Sequence, residues 1–365
     1  MTDFPAPNFT ACLEMIHRPG TIAMPRSAGI GRIEIRVPVS PSPEFALMLL
    51  VLHRSIRYRS AVPDVTLKAI IGAEIGQQTA AHAFAGWISR YMAVDLVDSA
   101  EFDHQGIHAT ANRRLTLGVD SDVAAVILMD ADMIVCNSLA PALDLDPEKP
   151  EIGGVIAHVP PKMTVADWGE LFRVLDIPSP AMDCRYTGWP SMFPPGLQTD
   201  ESAAIAPPYF NYGFIVLSRS AIESVRRCLL HSGDHYREAL ERLYPGSAMF
   251  HSQIRLTLAI TEIGIPYQTL GMRYNFPNDA RLEALHPLEL ADARVIHLLR
   301  RSDAYDKQLI YRDFQSLQNF VAKALQDTGA VNVAARSVAP LLGEIRAELD
   351  RHPLPLELAP AHWQW

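Results

Sequence analysis

Residues 126–135 read Val-Ile-Leu-Met-Asp-Ala-Asp-Met-Ile-Val, and this stretch decides the class of fold. Extended back to Ala124, the run up to Met129 is apolar without alternation, the pattern of a strand covered on both faces. Such a strand belongs to a largely parallel sheet between helices. Two carboxylates then follow one residue apart, at the carboxyl end of the strand, where open α/β sheets collect ligands. From a tightening turn, Asp130 and Asp132 can point to one side and share a hard divalent cation. Mg²⁺ or Mn²⁺ takes one or two protein carboxylates and completes its coordination with water and phosphate oxygens.

Working outward, the flanking sequence repeats the same grammar. Upstream, Arg32 to Val39 (RIEIRVPV) alternates polar and apolar as a strand does. Ser40-Pro41-Ser42-Pro43 stops it and offers a helix cap, and Glu44 to Tyr58 follows as a helix. Thr66 to Ala73 is a second strand, Thr79 to Tyr91 a helix, Ala93 to Val97 a short strand and Ile107 to Leu117 another helix. Strands alternating with helices predict βαβ units and an α/β fold: a mostly parallel central sheet flanked by helices. Neither G-x-G-x-x-G nor G-x-x-x-x-G-K-[ST] follows the first strand, which counts against a dinucleotide-binding domain or a P-loop NTPase. Downstream, residues 158–208 are proline-rich and aperiodic, as a lid or specificity loop would be. Phe214 to Ser218 resumes as a strand, helices are expected over 222–230, 235–244 and 252–261, and Val295 to Leu298 is a late strand. The expected organisation is an irregular segment 1–30, an α/β domain 31–305 with 158–208 inserted, and a helical C-terminal extension 306–365 with a proline-rich tail.

Composition narrows the class. The 365 residues are 48% hydrophobic and 20% charged, ordinary for a protein with a real core, and the net charge is −9. An acidic chain argues against nucleic-acid binding. No basic patch precedes an apolar run at the N-terminus, and the longest apolar run, Phe45 to Leu52, is far short of a membrane span. A soluble cytoplasmic protein is the expectation; no feature speaks to oligomeric state. Cys12, Cys136, Cys184 and Cys228 are far apart and are expected to be reduced.

The whole pattern resembles the GT-A (Rossmann-like) glycosyltransferases, nearest to the glycogenin and bacterial lipopolysaccharide galactosyltransferase group. Specific motifs carry the resemblance at five places. Ile35 to Ser40 ends a first strand whose tip touches the nucleoside base in that family, which implicates Val39 and Ser40. Ala111-Asn112-Arg113-Arg114-Leu115 lies where the family carries a basic residue facing the diphosphate. Side chains of Arg113 and Arg114 project about 100° apart on a helix, so at most one faces the site; Arg113 is the expected one, with Asn112 beside it. Third is the Asp130-Ala131-Asp132 motif itself. Tyr209-Phe210-Asn211-Tyr212-Gly213-Phe214 is similar to the family's F-N-x-G segment at the sugar site. Val295-Ile296-His297-Leu298 is similar to the late strand whose histidine is the third metal ligand.

The resemblance implies a metal-dependent transfer of a sugar from a nucleotide-diphosphate sugar, UDP-hexose by default, to a saccharide or other hydroxyl acceptor. Asp130 would position ribose and metal, Asp132 and His297 would bind Mn²⁺ (or Mg²⁺), and Asn211 and Gln253 would contact the sugar. Residues 158–208 would select the acceptor, with Trp168, Trp189, Tyr186 and Tyr209 available to stack on sugar rings.

Departures from the family leave the chemistry open. Its acid-Gln pair is here His251-Ser252-Gln253, so the acid is absent. Its glycine and lysine after the late histidine are replaced by Leu299-Arg300-Arg301, and either arginine can supply the charge. A general base for inverting transfer has candidates only in Asp183, Asp200 and Glu201. A catalytically degenerate, nucleotide-binding protein of the same fold is therefore an alternative. A haloacid-dehalogenase-like phosphatase also ends a strand in D-x-D, but it expects Thr or Val where Ile134 stands and an early motif. A sugar nucleotidyltransferase should carry a glycine-rich basic loop where Pro41-Ser42-Pro43 stands.

Overall fold

The computed structural model describes residues 31–299 and 305–358. Strand β1 (Arg32–Val39) buries Ile33, Ile35 and Val37 completely. Helix α1 (Pro43–Arg59) starts where the Ser42 hydroxyl accepts from the Phe45 amide, with Pro43 in the first turn, where a missing N–H costs nothing. Then come β2 (Val65–Ile71), α2 (Gln78–Ile88), β3 (Ala93–Leu96), α3 (Ser99–Gln105), α4 (Ile107–Thr116) and β4 (Val123–Met129). Strands β3, β2, β1 and β4 lie side by side and parallel, as the alternation predicts.

After the Asp130–Asp132 turn, β5 (Met133–Val135) leaves this sheet. β6 (Ile152–Ile156) returns to it and is a strand the hydrophobic pattern does not announce, because two of its five residues are glycine. The packing explains one of them. The ring of Phe210 lies where a side chain at Gly154 would be, 2.7 Å from an added Cβ. Residues 158–208 are less irregular than expected, since they hold α5 (Val165–Val174), opened by a Thr164/Asp167 capping box, and the paired strands β7 (Cys184–Arg185) and β8 (Ile205–Ala206). β9 (Phe210–Ser218) starts at Phe210, not Phe214, and runs antiparallel between β4 and β6.

α6 (Arg219–Leu243) is one helix where the sequence suggested two. Gly233 looks like a break, yet its bare face admits the Arg255 guanidinium and the helix continues. α7 (His251–Glu262) leads to β10 (Tyr267–Thr269), which pairs with β6. Among the described residues the main sheet thus has seven strands in the order β10-β6-β9-β4-β1-β2-β3, parallel except for β9.

A second sheet completes the site. β11 (Phe276–Pro277), α8 (Ala280–Leu285) and α9 (Pro287–Ala291) precede β12 (Val295–His297), and the strand order is β11-β12-β5. β12 runs antiparallel to β5 with His297 opposite Met133, so one ladder delivers residue 297 to the 130–132 turn. The chain ends in α10 (Lys307–Ile310), α11 (Phe314–Ala324), α12 (Gly329–Val338) and α13 (Leu342–Arg351). Fully buried Ala330, Ala334, Ala335 and Val338 pack α12 against α1, β5 and β12. The C-terminal helices are therefore part of one compact unit with residue 31 onward, not an appendage. No helix among the described residues is long and apolar enough to cross a membrane. Cys136, Cys184 and Cys228 are free thiols; Cys12, the segment 1–30, Arg300, Arg301 and the tail from residue 359 lie outside the described residues.

Candidate metal centre and active site

A cavity of about 380 Å³ opens at the carboxyl edge of the parallel strands. Val39 and Ser40 line it from the end of β1, Asp130, Ala131 and Asp132 from the end of β4, and Asn211 from the start of β9. Gln253 reaches it from α7 and His297 from β12. Because β9 is antiparallel, its first residues stand at the same edge as the last residues of its neighbours. That places the Asn211 segment beside the carboxylates.

Asp130, Asp132 and His297 each offer a ligand atom, and these atoms lie within 4.8 Å of one another. His297 Nε2 is 3.0 Å from Asp132 Oδ1 and 3.8 Å from Asp130 Oδ2. Two ligands at right angles around an ion bonded at about 2.1 Å stand about 3 Å apart, so the spacing suits Mn²⁺ or Mg²⁺. Two carboxylates and an imidazole are also the right donors for Mn²⁺.

The surrounding hydrogen bonds fix which face of the imidazole carries the lone pair. The Gly213 amide donates to Asn211 Oδ1 at 2.9 Å, so that oxygen is an acceptor. Asn275 Nδ2 donates to the same oxygen at 2.8 Å. The other arm of the Asn275 amide is therefore its oxygen, and it must accept from His297 Nδ1, 2.8 Å away. Nδ1 carries the proton; in the neutral ring Nε2 is a lone pair aimed at two carboxylates. Lone pair and carboxylates repel unless a cation or a proton lies between them. Buried Asn275 thus holds a metal-ready tautomer, the role of an outer partner in many metal sites. Gly213 makes the approach possible, since a Cβ there would lie 2.7 Å from His297 Nδ1.

Two polar groups are consequently presented to the cavity in complementary form. Asn211 has spent its oxygen and offers an N–H donor. Gln253 donates its amide to the Phe210 carbonyl at 2.7 Å and offers its oxygen. A sugar hydroxyl can use both.

Arg113 is a correction. It turns away from the cavity and pairs with Asp95 at 2.9 Å, while Arg114 is the arginine that faces inward. Arg114 donates to Asp130 Oδ1 at 3.1 Å and lies over the Tyr212 ring, 4.9 Å from its centroid. The helix orientation is set from β1: buried Arg36 donates to the carbonyls of Arg114, Leu117 and Gly118, at 2.7, 3.1 and 2.8 Å, capping the C-terminal end of α4. Once that end is bolted to β1, Arg114 can only face the cavity. Asn112 is a second correction, for it lines a neighbouring cavity instead.

Sequence reasoning missed Lys307. Its ammonium donates to Asp132 Oδ2, leaving Oδ1 toward His297. Burial alone would raise the Asp132 pKa, but the neighbouring Lys307 ammonium holds it well below the usual carboxylate range. One of only five lysines in the chain, ten residues past the histidine, was the available signal. Asn275 gave none, because a lone Asn before a two-residue strand is unremarkable.

The expected acceptor residues are mostly elsewhere. Trp168, Tyr186 and Tyr209 are buried and pack on one another, with Phe172 and Phe193 alongside, so they are core and not platforms. Trp189 is covered by Arg185, 4.1 Å from the ring centroid. Asp183, Asp200 and Glu201 do not line the cavity; Asp183 accepts from Tyr267, Asp200 caps a turn and Glu201 pairs with Arg185. Ser252, where the family has its acid, accepts or donates at 2.9 Å with His108 Nδ1.

No family model and no curated protein matches the chain. Among solved structures, the galactosyltransferase LgtC, in complex with donor and acceptor sugar analogues, aligns at 17% identity and a TM-score of 0.49, covering 87% of this chain and all of LgtC. Mouse xyloside xylosyltransferase 1 aligns at 13% identity and 0.41, covering 73% of this chain and 97% of its own. The glycosyltransferase GlyE of Streptococcus pneumoniae aligns at 10% and 0.45, covering 92% and 66%. At these identities and scores no donor, acceptor or reaction passes from them to this chain. The chain is similar to solved glycosyltransferases, LgtC among them.

Proposed function

We propose that this protein is a metal-dependent glycosyltransferase that moves a sugar from a nucleotide-diphosphate sugar, UDP-hexose by default, to a hydroxyl acceptor. The observation that carries the reading is the direction of the His297 lone pair. It points with two carboxylates into a cavity that also holds Arg114 and Lys307, so the cavity has places for a divalent cation and for the negative charge of a diphosphate. A bound Mn²⁺ or Mg²⁺ would offset the charge developing on the departing diphosphate. Arg114 and Lys307 add fixed positive charge on either side of the carboxylates. Asn211 and Gln253 orient the sugar, and Val39 and Ser40 form the wall on which the base would lie.

In the transfer, the bond from the anomeric carbon to the diphosphate oxygen breaks and one to the acceptor oxygen forms. The acceptor proton then needs a base. Apart from Asp130 and Asp132, no described carboxylate lines the cavity. The bases at hand are the departing diphosphate and the imidazole of His108, which lines the cavity. The same observation supports a second reading, in which the protein binds the nucleotide without turnover.

Thermal denaturation with nucleoside diphosphates, with and without Mn²⁺, tests the proposal, since a ligand of the native state raises the melting temperature by mass action. UDP with Mn²⁺ is expected to raise it more than either alone, and Asp132→Asn to abolish the joint effect. A chain that no nucleotide stabilises, or a shift indifferent to metal and to Asp132→Asn, overturns it. Release of UDP from a panel of UDP-sugars separates turnover from binding alone.

A further inference from the structure

Beside the main cavity lies a second, of about 280 Å³, which shares His108 and Ser252 with it. Arg255 on α7 lines this second cavity and is only 9% exposed. Its Nε is buried without a hydrogen-bond partner, and burial pulls its pKa down, with Tyr212 and Asp234 opposing this only through space. A buried lysine or histidine in that position could shed its proton, but a guanidinium keeps its charge. A buried charge without a partner is strongly unfavourable and is normally matched.

The other charged groups here match it only in part, since Asp234 acts on Arg255 through space but is mostly exposed and pairs with Arg237. Arg237 is paired with Glu241 at 3.3 Å and Asp234 at 3.6 Å, so Glu241 is already used. His251 contacts the Tyr244 carbonyl at 3.3 Å and His108 the Ser252 hydroxyl at 2.9 Å; burial pulls the pKa of both downward, toward the neutral ring. The fold also makes room for the cation. Gly233 sits inside α6, a position where glycine is disfavoured, and a Cβ there would lie 2.5 Å from Arg255 Nη2.

We infer that the second cavity is an oxyanion subsite, in which Arg255 receives a carboxylate or phosphate group. A planar guanidinium fork matches both groups in two-point contact. The group arrives either as a free anion or as a substituent of a molecule that reaches across from the main cavity past His108 and Ser252.

The test is thermal denaturation of the full chain with inorganic phosphate, D-glucuronate and neutral D-glucose, comparing the wild type with Arg255→Met. Methionine keeps the apolar stem packed and removes the charge. In the wild type, phosphate or glucuronate raises the melting temperature and glucose does not. In Arg255→Met the apparent anion affinity falls by about tenfold or more, the loss expected for a charged hydrogen-bonding partner. Without anion, Arg255→Met melts at the wild-type temperature or above, because it removes an unmatched buried charge. A response to phosphate identifies a free anion as sufficient; a response to glucuronate alone identifies a sugar-borne carboxylate. Absence of any anion response, an equal response in Arg255→Met, or a variant that melts lower or fails to fold overturns the inference. Asp132→Asn leaves the Arg255-dependent response in place, so this result and that of the metal test stand apart.

Discussion

The side-chain oxygen of Asn275 accepts from His297 Nδ1 at 2.8 Å, and this contact turns the imidazole lone pair toward Asp130 and Asp132. The orientation is inherited from the backbone. It starts at the Gly213 N–H, which can only donate, and passes through Asn211 and Asn275 to the ring. A main-chain donor in β9 therefore sets the protonation of a side chain in β12, from a different sheet.

Replacing Asn275 by leucine keeps the volume and cuts the chain of bonds at its middle. Mn²⁺ affinity, measured by calorimetric titration, should fall by about 10- to 100-fold, the usual effect of losing such an outer partner. Stability should drop by about 1–3 kcal/mol, because Asn211 keeps its Gly213 bond while His297 Nδ1 is left buried and unpaired. Mn²⁺ binding within twofold of wild type would show that the tautomer is set by something else.

Gly213→Ala attacks the same ring by sterics. The new Cβ would stand 2.7 Å from His297 Nδ1 and also crowd Met133. The methionine tail can move, whereas the imidazole is held by Asn275 and has to give up its position. Far-ultraviolet circular dichroism should stay native-like while metal-dependent UDP binding weakens by about tenfold or more, in line with displaced ligands. A variant that binds UDP and Mn²⁺ as before would remove the steric reason for this glycine.

These two residues also show what was legible in the sequence. The parallel strands and the D-x-D turn followed from local pattern, because period and strand ends are written locally, whereas Asn211, Gln253 and His297 were implied only by the family resemblance. The arginine that faces the cavity was not legible, since residues 113 and 114 are equivalent until Arg36, far away on β1, fixes the end of the helix. β6 escaped because its glycine is explained only by a ring on β9. Asn275 became visible only once the two sheets were packed together, and the contact of Lys307 with Asp132 only once the C-terminal helices were.

Lys307 makes a prediction whose sign distinguishes two effects. Its ammonium sits on Asp132, so in the absence of nucleotide it competes with a divalent cation for that carboxylate. Lys307→Gln should tighten Mn²⁺ binding by about three- to tenfold, the scale of removing one like charge nearby in a half-screened site. The same change should weaken UDP binding in the presence of Mn²⁺, because the diphosphate loses a cation. Calorimetry of metal alone, then of UDP at saturating Mn²⁺, reads the two directions; movement of both in the same direction would contradict this assignment.

His53 makes a prediction about the fold apart from the site. It lies buried in α1 near Arg54 and Arg57, its Nδ1 unpartnered, and burial first, then these arginines, push its pKa down to about 4 from an ordinary 6.5. Above pH 6.5 the ring is neutral in both folded and unfolded chains, and its contribution is fully present. Between pH 6.5 and about 4 the unfolded chain takes up a proton that the folded chain refuses, so stability falls as pH falls. From pH 7.5 to 5.0 this one group should cost about 2 kcal/mol. His53→Leu removes the titration, and urea unfolding at the two pH values should show the variant losing less stability than wild type by about that amount. Carboxylates titrate lower and contribute alike to both proteins, so an equal loss in the two would mean that His53 is not held neutral by the fold.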